Sequence, residues 1–325
     1  MLTSGGRRSP QASDGDLATL VRVRICSLVP AATEVLFALG LGDRVAGVTH
    51  ECDWPPEAAS RTVVTASLVQ TGDLTSAEID RVVAEAAQDG RPLYAIEEER
   101  WAKIAADVIV TQELCDVCAV STHEVEGILS ARPLDVEVLD FSPSTLEAIE
   151  EGILALGAQL GAAGEAAELV AGMESRLGRV AAALAGVEAS PRVFVTEWLE
   201  PPYSAGHWVP DMVAAAGGTD VAGMSGEPSH RMRWDDVVSL EPDVVVLAPC
   251  GFDLDRTLSE VVPLDLSAHL LGTPARQESS VFAVDANASF SRPGPRVVDG
   301  VEVLAHLLHP EEYPDPGLPW SRIRL

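Results

Sequence analysis

Short β-branched runs alternate with helical periodicity twice along this chain, and a single strand-free helical stretch separates the two series. Arg24–Leu28, Val45–Val48, Val108–Val110 and Val136–Leu139 read as strands of the first series. Arg192–Thr196, Val244–Ala248 and Val281–Val284 read as strands of the second. Helical patterns fall between them, over Pro30–Leu39, from Thr75 to about Gln88, over Met212–Ala216 and over Val297–Leu308. Strands that alternate with helices imply parallel pairing, because a parallel connection needs a crossover element. From Ser144 to about Ala185 the pattern is Ala/Leu/Glu-rich: one long helix, or two broken near Gly161–Gly164. The expected fold class is therefore α/β, with two lobes of mostly parallel sheet joined by a long rigid helix and a ligand cleft between the lobes. The expected boundaries are a loose tail over 1–21, an N-terminal lobe over 22–140, a linker helix over 141–190, a C-terminal lobe over 191–310 and a proline-rich tail over 311–325.

Charge limits the partners. Asp plus Glu number 50 and Lys plus Arg 22, a formal net charge of −28 over 325 residues. Such a field repels phosphate backbones and anionic lipid heads, which argues against nucleic acid and membrane surfaces. A hydrophobic fraction of 47% supplies a full core, and no apolar run is long enough to insert in a membrane. In the N-terminal segment Asp14 and Asp16 sit where the apolar region of an export signal would lie. The segment as written predicts a cytoplasmic monomer with reduced thiols, and an extracytoplasmic one if the true start differs.

The chemistry-capable residues follow strands. Thr49-His50-Glu51-Cys52-Asp53-Trp54 follows Val48, and Glu113, Cys115, Asp116 and Cys118 follow Val110. Glu197-Trp198, Tyr203, His207 and Trp208 follow the Arg192–Thr196 run. Cys250 and Phe252 follow Val244–Ala248, and Phe290 follows Val281–Val284. Ligands of parallel α/β sheets bind outside the carboxyl ends of strands, so these residues are expected on one shared cleft. His50, Cys52, Cys115, Cys118 and Cys250 have the donor types of a tetrahedral zinc or iron site. Cys115 and Cys118 read otherwise as small buried hydrophobes under the loop, or as a redox dithiol. Cys26, inside an apolar strand, reads as core, as do Trp101 and Trp234 on helical stretches. Trp54, Trp198, Tyr203, Trp208, Phe252 and Phe290 crowd the cleft loops and suit a large planar ligand. No serine-hydrolase elbow, phosphate-binding loop, zinc-protease or dinucleotide motif is present, so a non-enzyme is expected.

A set of motifs then resembles a known family. Arg24-Ile25-Cys26-Ser27-Leu28-Val29-Pro30-Ala31-Ala32-Thr33-Glu34 is followed in order by Val45-Ala46-Gly47-Val48 and Asp53-Trp54-Pro55-Pro56-Glu57-Ala58. Next come Pro201-Pro202-Tyr203-Ser204-Ala205-Gly206, Ala216-Gly217-Gly218, Glu241-Pro242-Asp243-Val244 and Arg292-Pro293-Gly294-Pro295-Arg296. Together they resemble the cobalamin and iron-chelate binding proteins of ABC importers, the helical-backbone class of periplasmic binding proteins. The resemblance implies a ligand held between two lobes with little domain motion. It implies aromatic rings against a corrin, at positions matched by Trp54, Trp198, Tyr203 and Phe290. It also implies one acid on each lobe docking on permease arginines, at positions matched by Glu78 and by Asp235 or Asp236.

Two features depart from that pattern: the absence of a readable export signal, and the thiols and imidazoles. The leading expectation is an ABC-transporter-associated binder of cobalamin or a related metal chelate, with His50 or His207 able to ligate a corrinoid cobalt. One alternative is a cytosolic zinc or iron protein acting as sensor, chaperone or enzyme; another is a thiol-redox protein using Cys115 and Cys118. Glu51, Asp53, Glu113, Asp116 and Glu197 near the cleft favour a cationic metal centre over an anionic siderophore.

Overall fold

The computed structural model describes residues 23–69, 71, 72, 74–112 and 136–325. In the N-terminal half the strands are β1 (Ile25–Ser27), β2 (Val45–Val48), β3 (Thr62–Val63), β4 (Thr65–Ser67), β5 (Tyr94–Ile96), β6 (Val108–Thr111) and β7 (Glu137–Asp140). Five form a wholly parallel sheet in the order β3-β2-β1-β6-β7, while β4 and β5 make a small antiparallel ribbon. The helices are α1 (Pro30–Ala38), α2 (Ser76–Gln88) and α3 (Glu98–Ile104). Pro30 opens α1 with its φ already helical, and Gly40 leaves it at a φ of 70° that other residues resist. The Thr75–Glu78 capping box starts α2: Thr75 N donates to Glu78 Oε2 at 2.8 Å, and Glu78 N to Thr75 Oγ1 at 3.4 Å.

The linking segment is two helices, α4 (Leu146–Leu160) and α5 (Ala163–Ala183), broken at Gly161, where φ is 76°. Gly157 lets the pair pack closely, since a Cβ there would lie 2.4 Å from the Cβ of Ala166. The two ends of α4 are tied to different lobes. Leu146 N donates to Asp211 Oδ2 in the C-terminal lobe at 3.0 Å. Leu160 O accepts from Arg44 Nη1 in the N-terminal lobe at 2.8 Å. These two bonds satisfy groups that a helix otherwise leaves orphaned at its ends.

The C-terminal lobe contains β8 (Arg192–Leu199), β9 (Pro202–Ser204), β10 (Thr219–Asp220), β11 (Val244–Leu247), β12 (Val281–Val284) and β13 (Trp320–Arg322). Its helices are α6 (Val209–Ala215), α7 (Trp234–Ser239), α8 (Leu254–Val261), α9 (Leu266–His269), α10 (Pro274–Gln277), α11 (Ala286–Ser289) and α12 (Val297–Leu308). The sheet runs β10-β8-β11-β12-β13, with β9 folded back on β8. The segment read as a proline-rich tail thus supplies an antiparallel edge strand, in which Trp320 pairs with Val284 and Arg322 with Phe282. The helix α5 is fixed to α12 by Arg176, whose Nη2 lies 2.6 Å from Asp299 and 2.7 Å from Glu302.

One apolar core runs through the whole molecule, from Val35 and Leu36 of α1 through Ile149 and Ile153 of the linker to Met212 and Val301. Each such side chain contributes on the order of 1.5–3 kcal/mol by leaving water. The lobes therefore share packing and are not independent beads. Cys26, Trp101 and Trp234 are buried as expected. Among the described residues no helix is long and apolar enough to cross a membrane.

Candidate functional site

Both sheets change winding direction at a central strand, β1 in one lobe and β8 in the other, and their carboxyl-end loops meet. The first meeting point is built on Glu34, the lone acid of an otherwise apolar helix. Glu34 Oε1 accepts from Arg292 Nη1 at 3.1 Å and from Arg296 Nη2 at 2.6 Å, and its Oε2 accepts from Arg296 Nε at 2.9 Å. Arg292 also donates to Asp53 Oδ1 at 2.5 Å, to the Glu51 carbonyl at 3.1 Å and to Asn287 Oδ1 at 2.8 Å. Asn287 Nδ2 returns to Asp53 Oδ2 at 2.9 Å. Burial works against the Asp53 charge, but the hydrogen bonds and charge of Arg292, with Asn287, outweigh it and hold the carboxyl below its usual range. Burial likewise opposes the Arg292 charge, and Asp53 and Glu34 overcome it. Arg296 lies over the Trp54 ring, 5.0 Å from its centroid.

The second meeting point is the start of α2. Ser76 N donates to Glu260 Oε2 at 2.9 Å, and Ser76 O accepts from Trp198 Nε1 at 3.0 Å. Asp80 accepts from Tyr203 Oη at 3.2 Å and from Arg231 Nη2 at 2.9 Å. Arg256 donates to the carbonyls of Gly72 and Leu74 and pairs with Glu260. The lobes are thus clasped on two sides of the cleft.

The predicted aromatic set divides. Trp54 is 45% exposed, while Trp198, Tyr203 and His207 are half-buried. Trp198 packs on Phe252 at 5.3 Å between centroids, and the Arg256 guanidinium covers Phe252. Trp208 and Phe290 do not offer faces to a ligand: both are core, and Trp208 Nε1 donates to the Phe290 carbonyl at 2.8 Å. Both belong to the apolar core that runs between the lobes, a direction that their place in the cleft loops does not reveal. His207 adopts a φ of 51° and stacks on Trp208. Burial pushes its pKa down, so its ring is neutral near pH 7.

Among the described residues the metal donors His50, Cys52 and Cys250 do not assemble into a cluster. Cys52 turns away from the cleft, with its Sγ 3.1 Å from Thr33 Oγ1 and 3.3 Å from Thr49 Oγ1. Burial raises its pKa and keeps it a thiol near pH 7. His50 holds Nδ1 on Thr65 Oγ1 at 2.7 Å and presents Nε2 3.4 Å from Glu51. Cys250 is free and half-buried after β11. Among the described residues no three His, Cys, Asp or Glu side chains are grouped to hold a metal ion. Cys115 and Cys118, with Glu113 and Asp116, lie outside the described residues. Asp53 is likewise corrected: it is a partner of Arg292, not a free acid awaiting a cation. Glu78 on α2 and Asp235 and Asp236 on α7 are exposed, at the first turns of their helices.

Glu34, Asp80, Arg231, Arg256, Glu260, Arg292 and Arg296 carry the inter-lobe contacts, and none was predicted as a site residue. Glu34 had a legible signal, because a charge on a buried helix face requires a partner. Arg292 and Arg296 lie in a non-helical Arg-Pro-Gly-Pro-Arg segment, so no periodicity marked them as its partners.

A model of the periplasmic binding protein family matches residues 90–288, more than half of the chain. The chain belongs to that family. A cobalamin-binding protein of Halobacterium salinarum is 26% identical over 292 residues, which are 88% of this chain and 69% of the relative. A vitamin B12-binding protein of Vibrio cholerae is 24% identical over 289 residues, 88% of either chain. Among solved structures, the periplasmic vitamin B12 binding protein BtuF of Vibrio cholerae superposes with a TM-score of 0.64 at 22% identity, over 88% of this chain and 96% of that one. A periplasmic heme binding protein from Pseudomonas aeruginosa gives 0.65 at 20% identity, over 89% and 93%. These likenesses confirm the two-lobed α/β fold. They also overturn the cytoplasmic expectation, since the family and its relatives are periplasmic binding proteins. The acids at Asp14 and Asp16 misled that reading. The family is one of binding proteins and not of catalysts, in line with the missing enzyme motifs.

Proposed function

We propose that this chain is the binding component of an ABC importer and takes a cobalamin, or a closely related corrinoid, in the cleft between its lobes. The observation that carries the reading is the match over 88% of the chain to relatives named for cobalamin and vitamin B12 binding. The chemistry of the cleft agrees with it. Trp54 leaves a flat apolar ring 45% exposed at the carboxyl edge of one sheet, and Trp198, Tyr203 and His207 stand at that edge of the other. The clasped arrangement is a closed one, so entry of a ligand this large parts the Asp53–Arg292 and Asp80–Tyr203 contacts. His207, neutral near pH 7, is the imidazole available to a corrinoid cobalt, whereas His50 Nε2 is out of contact with solvent beside Glu51 and serves only if the cleft opens. Glu78 and Asp235 or Asp236 are the carboxylates offered to permease arginines, one from each lobe.

Titration of the full chain with cyanocobalamin, followed by tryptophan fluorescence and visible absorbance, tests the reading. One-to-one saturation at micromolar affinity or tighter, on the order of 8 kcal/mol, is expected. Trp54→Ala is expected to weaken binding about tenfold or more, the loss of a large buried contact. Saturation by hemin with none by cyanocobalamin would replace the corrinoid by a porphyrin, and saturation by neither would remove the proposal.

A further inference from the structure

A hollow of about 340 Å³ opens at the amino ends of β1, β2 and β3, the edge of the N-terminal sheet opposite the cleft. Arg24, Arg44, Arg61 and Lys103 line it, with Asp43 its one acidic lining residue. The chain as a whole has 50 acids against 22 basic side chains, so this hollow reverses the overall balance. It also contains the single lysine of the sequence.

Two of the cations are held in place by contacts among the described residues that neutralise little of their charge. Arg44 donates only to carbonyls, from Nε to Val23 at 3.2 Å and from Nη1 to Leu160 at 2.8 Å. Arg61 rests over Phe37 with its guanidinium carbon 5.6 Å from the ring centroid. Its one ion pair among the described residues is to Asp43, at 3.8 Å, and that acid is 85% exposed. Arg61 Nε is out of contact with solvent and has no hydrogen-bond partner. Among the described residues the side chains of Arg24 and Lys103 form no ion pair, and Arg24 meets an acid only through its backbone N–H, to Asp107.

Guanidinium and ammonium groups that line a hollow with little carboxylate around them bind oxyanions through charge-assisted hydrogen bonds. We propose that this hollow binds a small polyanion with at least two oxyanion groups, the class that includes pyrophosphate and the di- and tricarboxylates. Its volume lies within the range of small-ligand sites and exceeds what one oxyanion fills. Four cations lining one hollow favour a ligand with more than one negative group, which planar guanidiniums grip in bidentate fashion. The acidic chain repels anions at long range, so retention depends on these local contacts and weakens with salt.

Calorimetric titration of the full chain with pyrophosphate and with citrate, at ionic strength fixed with sodium chloride, is the test. Saturable binding of at least one anion is expected. Lys103→Gln and Arg61→Gln are each expected to weaken it about tenfold, the usual loss for one charge-assisted hydrogen bond. Arg91→Gln, which removes an exposed arginine outside the hollow, is expected to leave binding unchanged. Lys103 is exposed, so its substitution spares the fold if Arg61→Gln does not. The proposal is overturned by the absence of saturable heat with both anions. It is equally overturned by binding that Lys103→Gln leaves intact, or by a loss in Arg91→Gln as large as in the hollow variants.

Discussion

Arg292 Nη1 lies 3.1 Å from Glu34 Oε1, although the two are 258 positions apart in sequence, and their side chains are only 7% and 3% exposed. This pair crosses the cleft and joins α1 to the loop before α12. Its environment is dry enough that each charge needs a counter-charge, and Arg296 backs Glu34 as Asp53 backs Arg292.

Arg292→Ala therefore leaves Glu34 with Arg296 alone and strips Asp53 of its main counter-ion. Loss of about 3–5 kcal/mol of stability is expected, as for removal of one partner from a buried pair. Urea denaturation measures it, and small-angle scattering should show a longer maximum dimension as the lobes part. An unchanged urea midpoint would mean that the pair contributes nothing net.

Acid should loosen the same clasp. Asp53 titrates below its ordinary range in the fold, so the unfolded chain takes up its proton first as pH falls. Its contribution is present above about pH 4 and disappears as pH drops through the lower folded value. The stability difference between the wild type and Asp53→Asn should thus shrink between pH 5 and pH 2, each about a unit or more from the ordinary value. His207 adds a separate slope, since its depressed pKa favours the fold above about pH 6.5 and less so below. A difference constant across the acid range would contradict the Asp53 assignment.

Phe290 and Trp54 should respond in opposite ways. Phe290→Ala empties a site that is 2% exposed and is expected to cost about 3–5 kcal/mol. Trp54→Ala should leave stability within about 1 kcal/mol and act on corrinoid affinity instead. Thermal melts with a cyanocobalamin titration separate the two, and a stable Phe290→Ala that loses binding would reverse the assignment.

The break between the linker helices has its own test. A Cβ at Gly157 would stand 2.4 Å from Ala166 Cβ and 3.0 Å from the Ala162 carbonyl. Gly157→Ala is expected to destabilise by about 1–3 kcal/mol through overpacking, against the usual gain of replacing a helical glycine. A stabilised variant would show that the helices separate freely.

Thiol reactivity should sort the described cysteines. Cys26 and Cys52 are buried, and burial raises both pKa values, so iodoacetamide near pH 7 should spare them. Cys250, half-buried at a loop, should be alkylated first, as read by peptide mapping. Rapid modification of Cys52 in the folded chain would place its sulfur toward the cleft after all.

Much of the architecture was legible because helix and strand periods are local. Val45–Val48, Val281–Val284 and Val297–Leu308 occupy the spans their patterns predict. The edge strand Trp320–Arg322 escaped notice: flanking prolines and only three residues give no period to read, and pairing with β12 creates it. The candidate site was half legible. Its loops were placed by the rule that ligands gather beyond strand carboxyl ends, and Trp54 is exposed there. Trp208 and Phe290 lie in the same loops yet turn inward, because side-chain direction at an irregular turn depends on what packs beneath it.

By itself, then, the sequence determined the two α/β series, the strand-free helical linker between them, and the family through its ordered motifs, while the break at Gly161 came from the structure. Those are short-range or cumulative signals. Only the tertiary structure decided which acids are free and which are spent. Asp53 and Glu34 carry the same charge as any other carboxylate in the sequence, and their roles follow from arginines brought beside them by the packing of one lobe on the other. Electrostatic partnership falls off within a few ångströms once water screens it. A contact between residues 258 apart in the chain therefore leaves no trace in local pattern and exists only in the folded molecule.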